Sequence, residues 1–267
     1  MVCWLSSCGG RAGTGSPAAD SIMDTLDTVS EAVVDTIPET PLASRSADEY
    51  FNDFIYSFTT NRRFQMSRVA FPLPVERYGK SQQIDSRQWK FNRMHTRDSV
   101  YTVFFDHESS LELENSRQVD EVRIEWFYMK ASRVEEYHFS RRADSWKLRG
   151  LREYGLQDYH DCDFIRFYQR FATDEEFQME HLADDIAFTL SDPEEDFEYL
   201  EGTIEPEQWP SFRPELPCDV FTNIDYGQSM KFRNRRVVAL EGSSNGFLSL
   251  LFFRRSGGKW ILYKFKS

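Results

Sequence analysis

FNDFIYSFTTNRRFQM at Phe51–Met66 and FIRFYQRFATDEEFQM at Phe164–Met179 are two copies of one pattern. Phe51, Phe54, Phe58, Thr60, Phe64, Gln65 and Met66 recur, in order, as Phe164, Phe167, Phe171, Thr173, Phe177, Gln178 and Met179, at a constant spacing of 113 residues. That period is too long for a solenoid unit, which runs roughly 20–50 residues, and reads as a whole domain written twice. Phe51, Phe54, Ile55 and Phe58 occupy one face of an α-helix, and Phe164, Phe167, Tyr168 and Phe171 copy that face. Phe64 falls off it, so the helix ends or bends near Thr60. Thr173-Asp174-Glu175-Glu176 reads as a capping box opening a second short helix, and Thr60-Asn61-Arg62-Arg63 keeps the cap without the reciprocal carboxylate. Ser46 and Asp48 are candidate N-caps for the first helix.

The second half of each unit is β-rich. Val100–Phe105 reads as a strand; Val122, Ile124, Trp126 and Tyr128 then alternate with Arg123, Glu125, Phe127 and Met129. Glu135, Tyr137 and Phe139 lead through a short turn after Arg141 to Ser145–Leu148. The second copy offers Arg235–Leu240, Phe247–Arg254, a tight turn at Ser256–Lys259 and a closing strand with Trp260, Leu262, Tyr263 and Phe265. Gln88-Trp89 corresponds to Gln208-Trp209 at a spacing of 120, so the intervening loop is longer in the second copy. Helices followed by an antiparallel meander make an α+β unit. A twisted sheet wrapped over an aromatic helix resembles the NTF2-like (cystatin-type) cone, which implies two tandem NTF2-like domains over residues 48–155 and 156–267 after a tether over 1–47.

The pattern from Phe51 to Leu73, with Phe-Gln-Met and Val-Ala-Phe-Pro-Leu inside it and Gln88-Trp89-Lys90-Phe91 after it, resembles an uncharacterised bacterial lipoprotein family carrying a domain of unknown function. The resemblance covers roughly residues 48–267 and brings no assigned activity or catalytic residues to carry over; no cofactor is expected. Leu5-Ser6-Ser7-Cys8-Gly9 resembles a lipobox with its signal cut short, so the natural start is expected upstream and Cys8 is the expected lipidation site. Gly9–Asp48, rich in Gly, Ala, Ser, Thr, Pro and Asp, would be a flexible spacer on a membrane-anchored, periplasmic or surface-facing cell-envelope protein. Cys162 and Cys218 are expected as free thiols rather than a disulfide.

The net charge of −12 divides as −6 over residues 1–49, +3 over 50–157 and −9 over 158–267. An acidic whole argues against nucleic acid as the partner. No Gly-x-Ser-x-Gly, His-Glu-x-x-His, P-loop or dinucleotide motif is present. His160 among Asp158, Asp161, Cys162 and Asp163 reads as a polar junction rather than a metal site, and His181 with Asp185 as a surface pair on a shared helix face. The acidic run Asp192, Glu194, Glu195, Asp196 and Glu198 lacks calcium-loop spacing. Lys231, Arg233, Arg235 and Arg236 form a basic strip, expected to guard a sheet edge, alternatively to meet the acidic run or face a partner. Trp89, Tyr101, Trp126, Tyr128 and Tyr137 are the candidate lining of an apolar pocket in the first cone, alternatively core filling. The function expected is a non-enzymatic module binding a small molecule, glycan or envelope protein. The alternatives are an enzyme with an acid–base site in the first repeat, where His95, His107 and His138 lie, and a structural envelope protein.

Overall fold

Helix α1 (Phe51–Thr60) buries Phe51, Phe54, Ile55 and Phe58, and helix α3 (Cys162–Thr173) buries Phe164, Ile165, Tyr168 and Phe171, as the aromatic spacing requires. The computed structural model describes residues 47–94, 100–191, 199–228, 230–243 and 246–267. The tether, Cys8, His95 and the acidic run lie outside the described residues. Short helices α2 (Arg62–Ser67) and α4 (Glu175–Met179) follow the long ones. Their caps sit one residue later than the threonines: Asn61 accepts from the N–H groups of Arg63 and Phe64, and Asp174 from that of Phe177. The residue capping α1 is Tyr50, with no side-chain cap bond. Asp48 instead pairs with Arg68 at 2.6 Å and accepts from the Trp146 N–H at 2.9 Å.

The Gln of each Phe-Gln-Met turns inward. Gln65 Nε2 donates to the Phe58 carbonyl at 2.8 Å while its Oε1 accepts from Trp89 Nε1 at 3.1 Å. Gln178 repeats this with Phe171 at 2.7 Å and Trp209 at 3.0 Å. The repeated Trp89 and Trp209 are thereby explained: each tryptophan clasps its loop to the buried glutamine of Phe-Gln-Met.

Among the described residues, twelve strands form two six-stranded sheets. They are β1 (Leu73–Arg77), β2 (Lys80–Ile84), β3 (Val100–Phe105), β4 (Glu121–Tyr128), β5 (Arg133–Arg142) and β6 (Ser145–Gly155), then β7 (Leu182–Ser191), β8 (Tyr199–Ile204), β9 (Val220–Asp225), β10 (Arg235–Gly242), β11 (Leu248–Ser256) and β12 (Lys259–Lys266). The first sheet runs β2-β1-β6-β5-β4-β9 and the second β8-β7-β12-β11-β10-β3. Both follow one plan, parallel at β1–β6 and β7–β12 and antiparallel elsewhere. The exception to sequence order is an exchange: β3 joins β10 in the second sheet, and β9 joins β4 in the first.

The exchanged strands meet at two threonines. The Thr102 N–H donates to Thr222 Oγ1 at 3.0 Å, and that hydroxyl donates to the Thr102 carbonyl at 3.0 Å. Thr102 Oγ1 in turn donates to the Thr222 carbonyl. Thr102 and Thr222 are related by the same 120-residue spacing as the two tryptophans. Both faces of the sheets near this crossing are covered, and Phe127, which alternates with Trp126 along β4, is fully buried with Phe221 and Phe104.

Two aromatic cores result. One gathers Phe51, Phe54, Phe58, Phe139 and Trp146 around α1. The other gathers Phe164, Phe171, Phe253, Trp209 and Trp260 around α3. Other expectations shift. His181 lies in a turn, buried, with Nδ1 2.7 Å from the Phe177 carbonyl, whereas Asp185 is on β7, so they share no helix face. Arg236 guards no edge, since β10 lies inside the second sheet. It is 5 % exposed and its Nε stands 2.6 Å from Asp161 Oδ2. Cys162 and Cys218 are free thiols, each half-buried.

Candidate functional site

Where β4 and β5 turn through Met129–Ser132, the hairpin register sets Glu125 directly opposite Glu136. Continued across the sheet, the same row holds Asn223 on β9, Glu125, Glu136, Arg152 on β6, Glu76 on β1 and Ser81 on β2. Side chains of one such row project from one face of the sheet. The face carries a cavity of about 400 Å³ lined by Glu76, Arg123, Glu125, Glu136, Arg152, Tyr154, Tyr159 and His160. A second cavity of about 390 Å³ continues along it past Glu121, His138 and Gly150, and shares Glu76, Arg123, Glu136 and Arg152 with the first.

Glu125 is 3 % exposed and Glu136 6 %. Like charges opposite each other on adjacent strands destabilise a sheet, and burying a carboxylate costs more still. The fold does not require either group. The corresponding row of the second sheet is Val103, Ala239, Leu250, Lys266, Thr189 and Glu201, with an Ala–Leu pair where the first sheet has Glu–Glu.

Glu125 is held by the strand exchange. Asn223 Oδ1 accepts from the Phe104 N–H of β3 at 2.9 Å, which fixes the amide so that its Nδ2 donates to Glu125 Oε2 at 2.9 Å. Tyr159 OH donates to the same oxygen at 2.9 Å. Oε1 accepts no hydrogen bond among the described residues. Burial pushes the Glu125 carboxyl up to about 7, with the charges of Asp225 and Glu136 adding to it and the two hydrogen bonds opposing it. His160, exposed at the rim and 4.4 Å from the Tyr159 ring, has its pKa lowered by partial desolvation, with Asp161 opposing.

The cations of this face have acidic neighbours of their own. Arg123 Nε donates to Asp225 Oδ2 at 3.0 Å, and Arg152 Nε lies 3.9 Å from Glu76. His138 Nε2 lies 3.9 Å from Glu121. Glu136 has no hydrogen bond and no ion pair among the described residues, although Arg123 senses its charge. The site thus presents two adjacent acidic groups in a walled polar trough. No group of three His, Cys, Asp or Glu among the described residues is placed to hold a metal ion.

The five aromatics singled out in the sequence all join the first core. Trp126 and Tyr137 are buried in it, and Trp89, Tyr101 and Tyr128 pack against it. Tyr128 stacks on Trp126 at 6.4 Å and lies under the Arg133 guanidinium at 3.7 Å. Tyr137 OH donates to Glu135 and accepts from Asn92. Tyr101 OH donates to Glu241, and its ring lines a separate cavity of about 170 Å³ beside Asn52, Ile55 and Tyr56. His107 caps a 3-10 turn on the surface, away from the trough. His138 and His160 do line it. The two glutamates escaped the sequence reading because β alternation marks them only as polar. Counting outward from the Met129–Ser132 turn would have set them opposite each other.

The family model for a domain of unknown function, DUF4348, matches residues 29–267. A solved structure, the crystal structure of an NTF2-like protein from Bacteroides fragilis NCTC 9343, is 36% identical and superposes with a TM-score of 0.77, covering 84% of this chain and 97% of that one. Among curated proteins none matches. The fold is α+β with curved sheets and an NTF2-like neighbour. The chain belongs to the DUF4348 family.

Proposed function

We propose that this protein is a non-enzymatic binding module of the cell envelope, made of a tandem pair of NTF2-like units, with the charged row across its first sheet as the recognition surface. One observation carries the reading: a buried Glu125–Glu136 pair in a solvent-open trough, at a position the second sheet fills with Ala239 and Leu250. Both aromatic cores are plugged by Phe and Trp, so the trough offers polar ligand space that the two cores do not. The tandem arrangement is supported by the shared strand plan and the recurring spacings of 113 and 120 residues. In this reading Cys8 carries the lipid and residues 1–47 tether the folded part to the membrane. Intact mass measured on membrane-extracted protein from its host tests that arm: acylated Cys8 is expected, and soluble protein with a bare thiol contradicts it.

The trough is tested by mapping amide shifts of labelled protein against a library of small polar fragments. Binders are expected to perturb Arg123–Glu125 and Glu136–His138. A library whose hits all map elsewhere, or that yields none, overturns the assignment.

A second reading, an acid–base enzyme in the first repeat, is favoured by Glu125 titrating near neutrality beside His160. It requires that the wild-type protein chemically alter a bound ligand that Glu125→Gln binds unchanged.

A further inference from the structure

The trough has a sign. Arg123 is committed to Asp225, Arg152 lies against Glu76, and His160 is biased toward its neutral form. What remains is Asp158, which accepts from the neighbouring Gln157 amide and has no ion pair among the described residues, Glu136, 6 % exposed and unpartnered among the described residues, and Glu125 Oε1, also without a donor. Glu76, Arg123, Glu136 and Arg152 line both cavities, and of these four Glu136 is the one with no hydrogen bond or ion pair among the described residues.

We propose that the trough binds an organic cation, a primary ammonium or guanidinium group on a small polar molecule, seated between Glu136 and Glu125 Oε1. This rests on the reading of the protein as a binding module and names the chemistry of its ligand. Ammonium and guanidinium groups donate several N–H bonds from one centre and are suited to two carboxyls side by side. A metal ion is disfavoured because it needs a larger donor set than these two groups supply. The cavity volumes of about 400 and 390 Å³ suit a small molecule. The second sheet cannot bind in the same way, because Ala239 and Leu250 stand in place of the carboxyls.

The test is calorimetric titration of the full chain at low salt with agmatine and putrescine, against succinate, glucose and calcium chloride. One equivalent of agmatine or putrescine is expected to bind, and Glu136→Gln is expected to weaken it at least about tenfold. Melting curves establish that the variant is folded; should it not be, Glu125→Gln serves in its place with the same expectation. Absence of binding by both amines, or binding that neither variant weakens, overturns the proposal. Calcium binding in place of the amines also overturns it. Succinate or glucose binding that Arg152→Gln abolishes overturns the cation assignment while leaving the trough as the recognition surface. Silence from all five probes together with a silent fragment map brings down both.

Discussion

Glu125→Gln should make the protein more stable at neutral pH. The carboxyl ordinarily titrates at 4.5 and is pushed up to about 7 in the fold. Between those two pH values the folded state holds a proton that the unfolded chain has released, so stability falls as pH rises through the window and levels off above it. At roughly 1.4 kcal/mol per tenfold change in proton affinity, the loss by pH 8 amounts to about 3 kcal/mol. Glutamine cannot ionise, and its carbonyl can still accept from Asn223 Nδ2 and Tyr159 OH. The variant should therefore match the wild type near pH 4.5 and exceed it by up to about 3 kcal/mol at pH 8, roughly 6–12 °C in Tm for a unit of this size. Denaturant melts of both proteins at pH 5, 6, 7 and 8 measure the difference, and groups common to both cancel. Parallel stability profiles, or a variant weaker at pH 8, would refute the claim that the fold holds this carboxyl against its ionisation.

Gln65→Ala strands Trp89 Nε1, the Asn92 N–H and the Phe58 carbonyl, and urea melts should show a loss of about 3 kcal/mol; Gln178→Ala should cost a similar amount. At the strand crossing, Thr102→Val and Thr222→Val should each cost about 1–3 kcal/mol, with a double-mutant coupling above about 0.5 kcal/mol because the hydroxyls bond across one contact. Asp161→Ala leaves the buried Arg236 guanidinium unpaired and should cost about 3–5 kcal/mol, most of it recovered when Arg236→Met is added.

The duplicated helices were legible because their aromatics repeat at helical spacing in both copies, and the structure buries those same rings. Strands β4 to β6 and β10 to β12 were legible from alternation and Gly-Gly turn chemistry. The partner of β3 was not. Val100–Phe105 announces a strand, but no local signal in it selects β10, 135 residues from Val100 to Arg235, over the strands that follow it. β9 went unread because Val220–Asp225 is short and half polar, and its Thr222 and Asn223 become intelligible only against β3 and Glu125. The caps slipped by one because Asn61 and Asp174 both precede helices as well as the threonines do. At the site, the chain neighbours of His160 mislead: Asp161 serves Arg236, while the cavity His160 lines is shared with Tyr159 and with Glu125, brought in from β4.

The most direct measurement is the titration of the Glu125 side-chain carboxyl by carbon-13 NMR, free and saturated with agmatine. A midpoint near 7 in the free protein that moves down when the cation occupies the trough is the expected result, since a positive charge beside Oε1 favours the ionised form. A midpoint near the ordinary 4.5, or one that agmatine leaves in place, contradicts it.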